Sequence, residues 1–162
     1  MKRYAIVTFG CQMNEHDSSR MAEVLEAAGL EAAADVDSAD VVLVNTCSVR
    51  EKAEQKLRSE VGRFVAKKRE RPGLVLGVTG CVAQQEGEKL LRRVPELDLV
   101  LGPDNIPELP ALLADVEAGG PPRARTVHDL DEPHFLRARA EPGRAGPSAY
   151  VTVMKGCNER CS

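Results

Sequence analysis

Val41-Val42-Leu43-Val44-Asn45-Thr46-Cys47 begins with four apolar residues in a row and closes on two polar residues and a thiol. An unbroken apolar run of this length reads as a strand buried on both faces, the mark of a parallel sheet covered by helices. A long helix is predicted to follow from about Val49 to Arg69, with Ala53, Leu57, Val61, Phe64 and Val65 on one side and Pro72-Gly73 breaking it. Upstream, Tyr4-Ala5-Ile6-Val7-Thr8 is a shorter apolar run that leads to Gly10-Cys11. Asp17 or Ser18 is placed to cap a helix whose apolar face is Met21, Val24, Leu25 and Ala28, closed by Gly29; Leu30–Ala34 is a weak strand. Downstream, Leu74-Val75-Leu76-Gly77-Val78 runs to Thr79-Gly80-Cys81, Gln84–Arg93 reads as helix and Leu97–Leu101 as strand. Asn105 is expected to cap a last helix, with Pro107 in its first turn and Ile106, Leu109, Leu113 and Val116 facing inward.

Strands alternating with helices of these lengths predict an α/β fold with a parallel sheet and helices on both faces. Gly119-Gly120-Pro121-Pro122 marks its end, so residues 1–120 are expected to form one domain. Residues 121–147, rich in Pro, Gly, Arg and Ala, read as a linker, and Ala149–Met154 as a fresh strand opening a second unit at 148–162.

The composition suits such a core. Hydrophobic residues make up 43% of the 162, with no Trp and only two Tyr and three Phe, so Val, Leu, Ile and Ala must build it. No apolar run approaches the roughly 18 residues that cross a bilayer, and the N-terminus has no secretory leader pattern. A cytoplasmic protein is expected, in which cysteines stay reduced. Charge is segregated: residues 50–72 carry nine Lys or Arg against four Glu, whereas residues 1–49 carry three basic and eight acidic side chains. That stripe reads either as an anion-facing surface or as a solvated helix face laced with ion pairs.

Five cysteines carry the chemistry. Cys11, Cys47 and Cys81 each follow the C-terminal end of a predicted strand, and in a parallel sheet those ends share one edge, where such folds bind ligands. Helix N-termini at that edge favour anionic thiolates, and Gly10 and Gly80 let backbone approach a bulky group closely. Residue types alone leave three readings open: small buried side chains, a zinc site, or three ligands to an iron–sulfur cluster with one iron left open. Asn14 and Asn45 stand near these thiols as capping residues or as hydrogen-bond partners of a cluster; His16 is not expected to be a ligand. A second pair, Cys157-x3-Cys161, follows the strand at 149–154 and Gly156.

The Cys157-x3-Cys161 spacing resembles the first two-thirds of the radical-SAM signature, whose third cysteine would fall at position 164. Thr8-Phe9-Gly10-Cys11-Gln12-Met13-Asn14, Val44–Ala53, Gly77–Gln85, Leu101–Ile106 and Pro147–Tyr150 are similar to the N-terminal part of the radical-SAM methylthiotransferase family. The Ser48-Val49-Arg50-Glu51-Lys52-Ala53 run looks most like the branch acting on N6-dimethylallyladenosine in tRNA. The resemblance implies that Cys11, Cys47 and Cys81 ligate an auxiliary 4Fe–4S cluster, and that Cys157, Cys161 and the cysteine beyond them ligate the radical-SAM 4Fe–4S cluster that binds S-adenosylmethionine. It further implies methylthiolation of C2 of the modified adenosine beside the anticodon. Its partners would be a tRNA anticodon loop and an electron donor such as flavodoxin or ferredoxin, and the enzyme a monomer. The basic helix over 50–71 is one expected contributor to RNA binding. A polypeptide of these 162 residues, with two of the three radical-SAM ligands, is expected to be inactive alone. Alternatives are a non-catalytic iron–sulfur module, or a methylthiotransferase for threonylcarbamoyladenosine in tRNA or for a ribosomal protein.

Overall fold

The computed structural model describes residues 2–47 and 51–127, with 51–58 described by their backbone alone. Cys157, Cys161 and the expected strand at 149–154 lie outside the described residues. The chain alternates as foreseen: β1 (Arg3–Phe9), α1 (Gln12–Ala27), β2 (Glu31–Ala32), β3 (Val41–Thr46), α2 (Glu51–Glu70), β4 (Val75–Gly80), α3 (Cys81–Glu86), α4 (Glu88–Arg93) and β5 (Leu99–Leu101). A 3-10 helix (Pro103–Glu108), α5 (Leu109–Glu117) and β6 (Arg123–Arg125) complete the described chain. The six strands form one sheet in the order β2-β1-β3-β4-β5-β6, and every pairing is parallel. Strand order reverses between β1 and β3, which makes that crevice the topological switch point of the sheet.

Period-two alternation divides the apolar residues between two faces. Val42, Val44, Leu76, Val78 and Val100 pack with Val61 and Phe64 of α2, Val82 and Ala83 of α3 and Leu90 of α4. Val41, Leu43, Val75, Leu99 and Leu101 face the other way, against Met21 and Leu25 of α1, Ile106 of the 3-10 helix and Leu109 and Leu113 of α5. All six residues of β3 and of β4 are buried, which explains why β3 opens with four apolar residues in a row.

Four expectations need correction. Helix α1 begins at Gln12 rather than beyond Asp17: Cys11 is its N-cap and the Asn14 side chain returns to the Cys11 amide at 3.2 Å. The first turn was illegible because Met13 is exposed and the buried residue beside it is polar. The expected single helix over 84–93 is two, parted at Gly87, whose φ of +50° suits glycine. Asn105 caps nothing; it is buried inside the 3-10 helix and its amide donates to Glu108 Oε1 at 2.9 Å. Two prolines, Pro103 and Pro107, each lacking an amide hydrogen, accompany the 3-10 geometry that delays α5 to Leu109. Finally, residues expected as the start of a linker supply β6, which pairs with β5 and is tied down by Arg123–Asp115 and Arg125–Glu108 ion pairs.

Phe64 is fully buried at the centre of the α2 face. Phe64→Ala is expected to cost about 3–5 kcal/mol, read as a lower urea midpoint with an unchanged slope.

Candidate metal centre at the carboxyl edge of the sheet

Phe9, Thr46 and Gly80 are level with one another across β1, β3 and β4. This register carries the chain forward into Gly10-Cys11, Cys47 and Cys81 at the same edge, on three adjacent strands spaced about 5 Å apart. The Cys47 amide donates to Phe9 O at 3.2 Å and continues the β1–β3 ladder one step past its last pair. Cys81 is the first residue of α3 and Cys11 the N-cap of α1, so two of the three thiols stand at helix N-termini. Cys47 is buried and Cys11 and Cys81 are half-buried; none is in a disulfide.

Glycine makes the close approach possible at two points. At Gly10, with φ +146°, an added Cβ would lie 2.4 Å from Asn14 Oδ1 and 2.7 Å from Cys47 Cβ. At Gly80, with φ +91°, it would lie 2.4 Å from Asn45 Oδ1 and 2.5 Å from Thr46 O. Neither space nor backbone conformation accommodates a side chain there.

One rung below the cysteines the α1 face of the sheet turns polar. Thr8, Asn45 and Thr79 are level across the same three strands. Thr8 Oγ1 and Ser18 Oγ share a 2.8 Å hydrogen bond, and Asn45 Nδ2 donates to Ser18 Oγ at 2.9 Å and to Asn14 O at 2.8 Å. Asn14 Nδ2 donates to Asn45 Oδ1 at 3.2 Å, and the Cys11 thiol lies 3.4 Å from Asn14 Oδ1 as donor. Thr46 Oγ1 and Thr79 Oγ1 are buried with no hydrogen-bond partner among the described residues.

Sequence reading located the three thiols and named Asn14 and Asn45, but it missed Thr8, Ser18 and Thr79. For Thr8 and Thr79 a signal was present: each of the three strands carries a threonine or asparagine in its last two residues. His16 lies on α1; burial first, and the Arg20 charge second, lower its pKa.

The cysteines share an edge, yet among the described residues no three His, Cys, Asp or Glu side chains are grouped to hold a single metal ion. A multi-iron cluster asks for something different, one thiolate on each of three irons across a wider body. Three cysteines as the donor set and two glycines holding backbone against the site fit such a group better than a tetrahedral zinc ion, which wants four ligands at one point.

The basic stripe resolves differently over its described half. Arg63 pairs with Glu60 at 2.7 Å, Lys67 with Asp37, Lys68 with Asp98, Arg69 with Glu96 and Arg71 with Asp40. The hydrogen bond from Arg69 is the main reason the Glu96 carboxyl titrates below its usual range. Asp37, Asp40, Glu96 and Asp98 precede β3 and β5, so these pairs gather at the sheet edge opposite the cysteines. Over its described half the stripe therefore has the ion-paired character of the second reading, with Lys67, Lys68 and Arg69 joining α2 to the segments that precede β3 and β5.

The family model described as "Uncharacterized protein family UPF0004" matches residues 3–102. A protein of Sorangium cellulosum (strain So ce56) named tRNA-2-methylthio-N(6)-dimethylallyladenosine synthase is 62% identical over 168 residues, covering 100% of this chain and 34% of that protein. Proteins of the same name from Myxococcus xanthus (strain DK1622) and Cupriavidus taiwanensis are 49% and 47% identical, each over the whole of this chain and 35% and 36% of their own. The chain thus spans about a third of the length of the curated relatives it matches. No helix among the described residues is long and apolar enough to cross a membrane.

Gly80→Ala is expected to destabilise the domain by more than about 1 kcal/mol, since the new Cβ meets Asn45 Oδ1 and Thr46 O. A drop in melting temperature larger than that of Gly62→Ala, a helical site where an added Cβ meets nothing within 4 Å, would measure it.

Proposed function

We propose, from the premise that this chain belongs to the UPF0004 family of methylthiotransferase N-terminal domains, that the intact protein methylthiolates an adenosine in tRNA, and that Cys11, Cys47 and Cys81 hold its auxiliary 4Fe–4S cluster. One observation carries the reading: three cysteines end three adjacent parallel strands at one edge, beside the switch point of the sheet. The names of the relatives point to C2 of N6-dimethylallyladenosine in tRNA as the substrate atom, and the motif resemblance to a position beside the anticodon. When bound, the two clusters and S-adenosylmethionine supply sulfur, a methyl group and the radical chemistry required at a carbon with no acidic proton.

The residues of this chain bind and orient. Cys11, Cys47 and Cys81 would hold three irons of a four-iron cluster and leave the fourth without a protein ligand, open to an exchangeable group. The N-termini of α1 and α3, which begin at or beside Cys11 and Cys81, would favour the negative charge of such a group. Gly10 and Gly80 keep side chains out of the way on the protein side. Cys157 and Cys161 would serve the radical-SAM cluster together with the cysteine that the motif places at 164. An external one-electron donor of the flavodoxin or ferredoxin type and a cytoplasmic location complete the reading.

Anaerobic reconstitution of the chain with ferrous iron and sulfide is expected to yield about four irons per chain in a Cys157→Ser, Cys161→Ser background, with a sulfur-to-iron charge-transfer band. Cys47→Ala should abolish both signals; tight zinc at about one per chain and no cluster would overturn the assignment. Given S-adenosylmethionine and a reductant, the 162-residue polypeptide is expected to release no 5′-deoxyadenosine, as chromatography of the mixture would show.

A further inference from the structure

The polar rung beneath the cysteines does more than fill space. Asn14 and Asn45 are only 1% and 0% exposed, and each amide is committed at both ends. Asn45 sends its two hydrogens to Asn14 O and Ser18 Oγ, and Asn14 sends one to Asn45 Oδ1, so their orientations follow from the network rather than from choice. The two oxygens meet the cysteine loops. Asn14 Oδ1 accepts from the Cys11 amide and occupies the space where a side chain at Gly10 would project, with Cys47 Cβ bordering the same space. Asn45 Oδ1 occupies the corresponding space at Gly80, directly before Cys81. Two hydrogen-bonded amides therefore touch the backbone of the Cys11 and Cys81 loops, and Cys47 follows Asn45 by two residues, just past the end of the same strand.

We propose that the buried Asn14–Asn45 amide pair is a positioning device that fixes the spacing of the three cysteine loops before any cluster is present. The docking of α1 does not need it, because Met21 and Leu25 already bury that helix against the sheet. Amides differ from an apolar pair of similar volume in that they define direction: a one-residue slip of α1 along β3 breaks three side-chain hydrogen bonds together. The inference rests on the cluster reading only for its purpose; the positioning itself is a property of the protein.

The test therefore measures thiol geometry and iron uptake separately. In the full chain with Cys81→Ser, Cys157→Ser and Cys161→Ser, dibromobimane, which fluoresces strongly once both arms have reacted, reports how readily Cys11 and Cys47 are bridged. Asn45→Ala and Asn14→Ala are each expected to slow bridging at least about ten-fold while single-thiol alkylation by iodoacetamide changes less than about two-fold, and the double variant should be no slower than the slower single one. In the chain with Cys11, Cys47 and Cys81 intact, the same substitutions should lower iron incorporation and shift the charge-transfer band. Far-ultraviolet circular dichroism checks folding; should Asn45→Ala not fold, Asn14→Ala, in the first turn of α1 rather than in the middle of the sheet, decides the matter. Unaltered bridging in the folded variants overturns the proposal. Slowed bridging in a protein that takes up no iron, parent included, upholds the positioning device and removes the cluster reading instead.

Discussion

The level pairing of Phe9, Thr46 and Gly80 is the constraint on which the rest depends. Because side chains alternate with a period of two, this register decides at once which residues enter each core face and where each strand stops. Shifting β4 by one residue against β3 would turn Val78 and Leu76 out of the α2 face and lift Cys81 off the shared edge. Packing and chemistry are thus fixed by the same ladder. The fully buried β3 and β4 make that ladder stiff, since both faces must be satisfied together.

Much of this was legible beforehand, and for definite reasons. Val41–Val44 could only be an interior strand, and three thiols at matching strand ends could only share an edge once the sheet was parallel. The start of α1 was hidden because its first turn carries Met13 outward and Asn14 inward, the reverse of an amphipathic pattern. Gly87 was read through because a single glycine inside a periodic stretch carries little signal, whereas its φ of +50° does. Asn105 looked like a cap because it precedes an apolar run; the prolines on either side set a tighter helix instead. The amide pair joins residues 31 apart, so no local pattern contained it.

The charge pattern also acquires a cause. Lys67, Lys68, Arg69 and Arg71 meet Asp37, Asp98, Glu96 and Asp40 where α2 returns to the start of the strands. Six-residue strands put that edge about 17 Å from the cysteines, and surface pairs at such a distance contribute little field at the site once salt screens them. The segregation noticed in the sequence is thus a fastening of helix to sheet over the described half of α2. What favours an anionic group at the other edge is local, namely the backbone amides that open α1 and α3.

Strand β6 bears on how this unit can be handled in isolation. The family match ends at residue 102 and a Gly-Gly-Pro-Pro sequence invites a cut at 120, yet the sheet continues through Arg125. Trimming there would bare the wholly buried Leu99-Val100-Leu101 as an open, uncharged edge, the kind of surface on which separate molecules zip together. Arg123 and Arg125, which flank that edge in the intact sheet, act as its gatekeepers. A self-sufficient expression boundary therefore lies beyond Thr126, whose carbonyl accepts from Gln84 Nε2 at 2.9 Å, and earlier endpoints trade a tidier sequence for insolubility.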